Sequence, residues 1–167
     1  MNTSCSETRR ILAARLALSE QGLDLIRKSE SLRLRAYKDQ GGKDTIGWGH
    51  LMLPGEPRKI TRAEADRLLR VDVARTEKAV RELVNVPLWQ SEYDALVSFV
   101  YNIGVTAFRK STMLRRLKAL DYREASYEFG RWVFVNGVKS KGLINRRAAE
   151  RSLCNTGPFQ PTNKPGH

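Results

Sequence analysis

The sequence predicts an α+β chain that is mostly helical, with a small α/β lobe carrying a β-hairpin and a larger helical lobe, the two joined by one long helix. Three observations predict it. Leu32, Leu34 and Ala36 alternate with Arg33, Arg35 and Tyr37, and a glycine turn then leads to a second strand-like run, Thr45 to His50. Residues 61–84 hold a helical apolar stripe that would span about 35 Å at 1.5 Å per residue. Beyond residue 85 the periodic segments are all helical. With 167 residues, 41% of them apolar, the chain can bury one core of ordinary size.

In order, residues 6–18 read as a basic amphipathic helix. Arg15 interrupts the apolar stretch that follows Arg9-Arg10, so the uninterrupted core of a signal peptide is absent. This N-terminal extension, residues 1–18, is expected to pack on the body. Ser19 opens a helix that runs to about Glu30, with Leu23 and Ile26 on one face. Asp39 to Asp44 is a turn, and the return strand 45–50 carries two glycines at alternate positions, which leave one face open. Thr61 and Glu64 form a capping box at the start of the connecting helix. Leu68, Leu69, Val73, Val80, Leu83 and Val84 line its apolar side, and Asp66–Arg70 and Glu77–Arg81 are i,i+4 pairs. A very apolar helix from Ser91 to about Gly104 is the candidate centre. Helices at 112–119, 121–129 and 143–153, with a turn at Asn136-Gly137, complete a domain of residues 19–154: small lobe 19–60, connecting helix 61–84, helical lobe 85–154. The tail, 155–167, is expected to be disordered.

Net charge is +12, unevenly spread: residues 109–151 hold 12 basic and 4 acidic residues, against 17 and 14 in residues 1–108. Such an excess is either a solvated surface or a face for a polyanion, whether nucleic acid, acidic lipid or wall polymer. Two cysteines and two histidines exclude a disulfide scaffold and a Cys/His metal centre, so no metal or cofactor is expected. No run approaches the roughly 18 apolar residues of a membrane span.

Carboxylate chemistry is the remaining catalytic option. Glu30 falls at a helix C-terminus, where the macrodipole disfavours ionisation and suits a general acid. Asp39 in the turn and Thr45 on the return strand converge on it if the hairpin folds back, giving a constellation for glycoside hydrolysis. Taken singly, each has a plainer reading: a solvated Glu, a turn-capping Asp, a Thr filling the pleat.

The stretch from Glu30 through Tyr37, Asp39, Gly42 and Thr45-Ile46-Gly47-Trp48-Gly49-His50 resembles the phage-type lysozymes, or endolysins, of glycoside hydrolase family 24. So do Tyr101-Asn102-Ile103-Gly104, Ala107-Phe108, Ser111-Thr112, Arg131-Trp132 and the run from Gly142 to Arg151, in the family's order over about residues 19–154. The resemblance implies a lysozyme-like fold whose interlobe cleft binds peptidoglycan and cuts the β-1,4 bond between N-acetylmuramic acid and N-acetylglucosamine. It implies Glu30 as the acid, Asp39 and Thr45 as holders of the attacking water, and Leu51, Tyr101, Asn102 and Ser111 as cleft residues. Ser31 stands where the family commonly has Gly, Trp48 where Tyr is more usual, and residues 1–18 are too charged for the signal-arrest segment of some relatives.

His50 is expected to partner a carboxylate, Arg146 is an ion-pair candidate for Glu30, and Cys5 and Cys154 are expected to be free thiols. The resemblance further implies a monomer that accumulates in the host cytoplasm, reaches the wall through a holin and causes lysis, with the basic second lobe drawn to anionic envelope polymers. No nucleic-acid partner is expected. A nucleic-acid-binding module built on the basic Leu114–Lys118 segment, a lytic transglycosylase using Glu30 alone, and a non-catalytic wall binder are the rival readings.

Overall fold

The computed structural model describes residues 9–39 and 41–158. Its elements run β1 (Ile11–Leu12), α1 (Glu20–Ser29), β2 (Arg33–Lys38), β3 (Asp44–Gly47), β4 (His50–Leu51), α2 (Arg62–Leu83), β5 (Pro87–Leu88), α3 (Gln90–Ile103), α4 (Val105–Arg109), α5 (Thr112–Lys118), α6 (Tyr122–Tyr127), β6 (Phe134–Val135), β7 (Val138–Lys139) and α7 (Lys141–Cys154).

The small lobe is the antiparallel sheet β2-β3-β4 with α1. Cross-strand pairing sets Tyr37 opposite Thr45 and Thr45 opposite Leu51, so these three side chains form one row on one sheet face. The connecting helix α2 begins where the sequence places it: the Thr61 amide donates to Glu64 at 2.6 Å, and the Glu64 amide donates to Thr61 Oγ1 at 3.2 Å. Each satisfies a backbone donor that the first helical turn leaves open. Helix α3 is the centre. Every residue from Glu92 to Val100 is buried, and the Phe99 ring meets Phe108, Phe129 and Trp132 edge-on at 6.5, 5.1 and 5.7 Å. Edge-to-face pairs of this kind add to the burial of the rings themselves. The core is continuous through both lobes, from Ile26 and Ile46 through Leu69 and Val80 to Phe129 and Leu153.

The N-terminal helix is not found. Among the described residues, 9–18 form β1, paired to β5, and a 3-10 turn at Ala13–Arg15. Tertiary partners override local helix propensity here. Ala13 and Leu16 enter the core, the Leu18 amide donates to Glu77 Oε1 at 2.7 Å, and Arg81 and Gln90 donate to the Leu16 and Ala17 carbonyls. Arg10 makes a double hydrogen bond to Glu92 (3.0 and 2.8 Å) and lies 3.8 Å from the Tyr122 ring centroid. The segment does pack on the body, but as an extended clamp.

Other elements differ in detail. The return strand breaks at Trp48-Gly49, so that β4 folds back on β3 with His50 opposite Ile46. Helix α3 starts one residue before Ser91, because the Trp89 amide finds Glu92. Helix α4 and the hairpin β6–β7 are elements that the sequence periodicity does not predict. The hairpin turns on Asn136 and Gly137, both at positive φ (50° and 78°), as a two-residue turn of the primed type requires. Helix α7 begins at Lys141, capped by Ser140. Cys154 is half-buried with its thiol pushed up to about 12 by burial, then by Glu92. Cys5 and residues 159–167 lie outside the described residues, as does any pairing between Cys5 and Cys154.

Arg10→Ala removes a charge-assisted pair and a cation–π contact, leaving Glu92 short of a partner. The expected loss is about 1–3 kcal/mol of unfolding free energy, read by urea denaturation.

Candidate active site

A cleft of about 1150 Å³ lies between the small sheet and helices α3 and α7. Its lining contains Glu30, Asp39 and Thr45 together, with Leu51, Tyr101 and Asn102. Ser111 is not among the lining residues. Its hydroxyl accepts from the Leu114 amide at 3.1 Å and caps α5. Tyr37, Trp132, Phe134 and Leu143 also face the cleft. Their signal in the sequence is the Tyr37 that precedes Asp39 by two positions and the aromatics before the Asn136-Gly137 turn. Without the hairpin register, nothing in the sequence says that they share a wall.

Each carboxylate is positioned by backbone events. Glu30 ends α1: its amide still donates to the Ile26 carbonyl, but its backbone is already extended (φ −105°, ψ 141°), which turns the side chain out of the helix and into the cleft. There Arg146 Nη1 donates to Glu30 Oε1 at 2.5 Å, so the expected ion pair is present. Gly49 stands on the other side. A Cβ built there would lie 3.5 Å from Glu30 Oε2, and the residue sits at φ +92°, in the left-handed region that disfavours side chains. Asp39 is held by its own loop. Oδ1 accepts from the amides of Gly41 (2.8 Å) and Lys43 (2.9 Å), and among the described residues no donor takes Oδ2. The Thr45 hydroxyl donates to the Lys43 carbonyl at 3.2 Å, in the row shared with Tyr37 and Leu51.

The walls behind these groups are charged and buried. Arg146 Nε donates to Glu150 Oε1 (3.1 Å) and Nη2 to the Ser98 carbonyl (3.3 Å), while the Ser98 hydroxyl donates to the same Glu150 oxygen (2.8 Å). Arg147 Nη2 donates to Asn102 Oδ1 at 2.6 Å, which fixes that amide so that its NH₂ is the group offered outward. Burial pushes the Glu150 carboxyl up and pulls the Arg147 guanidinium down to about 10, each opposed by the other's charge. Arg146 and Arg147 therefore turn inward, and two of the cations in the basic 109–151 segment do not serve its surface.

The Tyr101 hydroxyl donates to the Trp48 carbonyl at 3.0 Å, fastening α3 to the turn before Gly49; burial, then the charge of Asp72, pushes this phenol up. His50, buried beneath the cleft, lies 2.7 Å from Asp72 through Nδ1 and 3.0 Å from Glu56 through Nε2. Burial alone would push the imidazole down. The hydrogen bonds and charges of Asp72 and then Glu56 outweigh it and hold His50 above its ordinary 6.5. The Leu53 amide, and then His50, keep Glu56 below its ordinary 4.5. Among the described residues no group of three or more His, Cys, Asp or Glu side chains could hold a metal ion, and no helix is long and apolar enough to cross a membrane.

Comparison with known proteins places this cleft in a family. The phage lysozyme family model matches residues 27–150. An endolysin of Acyrthosiphon pisum secondary endosymbiont phage 1 is 44% identical over 140 residues, covering 81% of this chain and 96% of its own. An endolysin of Bacillus phage PZA is 40% identical over 145 residues, 85% of this chain; the match spans 56% of that longer relative. Among solved structures, the muramidase domain of SpmX from Asticaccaulis excentricus superposes with a TM-score of 0.79 at 40% identity, covering 85% of this chain and 99% of that one. The chain belongs to the phage lysozyme family. It is a glycoside hydrolase of the muramidase type, acting on peptidoglycan.

Two outcomes follow. The His50 cluster contributes its full stability below the unfolded-state value of about 6.5 and loses it as pH rises through the higher folded value, while the Glu56 contribution is present above about 4.5 and lost as pH falls. Unfolding free energy should therefore decline from pH 6 to pH 9 in the wild type, and His50→Gln should flatten that decline in denaturant titrations at several pH values. Gly49→Ala should destabilise by about 1–2 kcal/mol through the positive φ, since the added Cβ would meet Glu30 Oε2 only at an ordinary contact distance of 3.5 Å, read by thermal melting.

Proposed function

We propose that this enzyme hydrolyses the β-1,4 bond between N-acetylmuramic acid and N-acetylglucosamine with inversion at the anomeric carbon. Glu30 protonates the departing glycosidic oxygen as the carbon–oxygen bond breaks. A water held by Asp39 and the Thr45 hydroxyl attacks the opposite face of the sugar ring, and its proton passes to Asp39. The observation that carries this reading is the meeting, in one cleft, of a carboxyl group gripped from behind by Arg146 and a second carboxylate with one oxygen locked to its loop and, among the described residues, no donor on the other. Leu51, Tyr101 and Asn102 are the proposed glycan contacts, and Tyr37, Trp132 and Phe134 offer ring faces for the apolar sides of sugars.

In the same reading the enzyme acts as a monomer in host lysis and reaches the wall from the cytoplasmic side when a holin opens the membrane. Arg109, Lys110, Arg115, Lys118 and Arg123 are exposed on the helical lobe and would draw it to anionic envelope polymers, an attraction that weakens with salt.

The test is mass analysis of muropeptides released from purified sacculi. Hydrolysis yields reducing N-acetylmuramic acid ends; 1,6-anhydro ends, together with an active Asp39→Asn variant, would establish a transglycosylase instead. Glu30→Gln should lower the rate by at least about 10³-fold with the melting temperature retained or raised, and a near wild-type rate in that variant would remove Glu30 from the acid role.

A further inference from the structure

We infer that Glu150, fully buried and outside the cleft, is a positioning residue for two parts of the active site at once: through Arg146 it aims Glu30, and through Arg147 it aims Asn102. The inference rests on the reading of Glu30 as the acid.

Spacing makes the arrangement possible. Arg146, Arg147 and Glu150 share one face of α7, and Ser98 and Asn102, four apart, share the facing stripe of α3. Each Glu150 oxygen serves a different arginine. Oε1 takes Arg146 Nε and the Ser98 hydroxyl, which leaves Arg146 Nη1 aimed at Glu30. Oε2 lies 3.1 Å from Arg147 Nε, while Arg147 Nη2 holds Asn102 and its guanidinium sits 4.8 Å from the Phe99 ring centroid.

Stability does not account for this cluster. Charges this deep carry a desolvation cost that an apolar packing would avoid. Arg147 Nε and Glu150 Oε2, 3.1 Å apart, pair by charge rather than by an aligned hydrogen bond. What the cluster supplies is direction. A long, flexible arginine is held on two sides, so that its remaining nitrogen can point only into the cleft.

The experiment compares Glu150→Gln, Ser98→Ala and Asn102→Ala with wild type on soluble peptidoglycan fragments, measuring kcat, KM and the pH–rate profile beside thermal melting. The titratable and charged groups sharing the cleft with Glu30 are Arg33, Tyr37, Lys38 and Asp39 on β2 and its turn, Asp72 and Arg75 on α2, Tyr101 on α3 and Arg146 on α7, with Arg147 behind; burial pushes both phenols up, out of the working range. Glu150→Gln frees Arg146 to give its whole charge to Glu30. The alkaline limb of kcat should then move to lower pH, with kcat falling roughly tenfold as Glu30 loses its fixed aim. KM should rise as in Asn102→Ala, which should leave the limb in place. If Glu150→Gln does not fold, Ser98→Ala, which removes one hydrogen bond from the same Oε1, should move the limb in the same direction by less.

A merely structural role would lower the folded fraction and scale the rate, with limb and KM unmoved; that result in the folded variants overturns the inference. Glu30→Gln runs in parallel. If it keeps hydrolytic activity, the acid assignment itself fails, whereas an inactive Glu30→Gln beside a Glu150→Gln of wild-type profile discards only the positioning role.

Discussion

The contact between Arg146 and Glu30 sets the geometry of the cleft. One partner ends the first helix, the other lies 116 positions later on the last, and the cleft exists between the elements they join. The pair is asymmetric: Arg146 is nearly inaccessible, whereas Glu30 keeps 22% of its side chain exposed. A guanidinium already surrounded by acceptors cannot swing out with the carboxylate, so the exposed partner is the one that conforms. The rest of the architecture serves that asymmetry. Helix α3 supplies the Ser98 carbonyl and hydroxyl, α7 supplies Glu150, and the turn at Gly49 brings backbone rather than a side chain against the other carboxylate oxygen.

The opposite wall is built on another principle. Asp39 and Thr45 depend on the backbone of a short hairpin. The Asp39 loop closes on itself through the Gly41 and Lys43 amides, and the sheet register fixes Thr45 between Tyr37 and Leu51. One side of the cleft is held by long-range electrostatics and the other by local hydrogen bonding. The His50 cluster stands where these regimes meet. It fastens β4 to α2 through Asp72 and to the following loop through Glu56, and it lies next in sequence to the Gly49 that closes on Glu30.

Local signals were the legible ones. The Thr61–Glu64 capping box and its apolar stripe define α2 to within a residue, and the Asp39 turn between two alternating runs defines the hairpin. Glu30, Asp39 and Thr45 were legible as a set because the resemblance quotes them together. What escaped depends on partners distant in sequence. Residues 9–18 have helical composition, but their hydrogen bonds lie with Glu77, Arg81, Gln90 and Glu92, and no window around Arg10 contains those. The charge count of residues 109–151 is likewise silent on direction, and of its arginines only Arg146 is expected to pair with an acid. Composition records how many arginines there are, and only packing decides that Arg146 and Arg147 face inward while Lys139 and Lys141 face water. Ser111 has the sequence neighbours of a cleft residue and the hydrogen bond of a helix cap.

The clamp formed by residues 9–18 bears on how the chain assembles during synthesis. Its side-chain and backbone partners, from Glu77 to Tyr122, are translated long after it, and at about 5–20 residues per second the clamp waits on the order of 5–20 s for the last of them. Glu30 waits longer still for Arg146. A nascent or prematurely terminated chain thus carries the acid residue without the groove that would employ it, and the capacity to damage a wall arises only after Arg146 has been made.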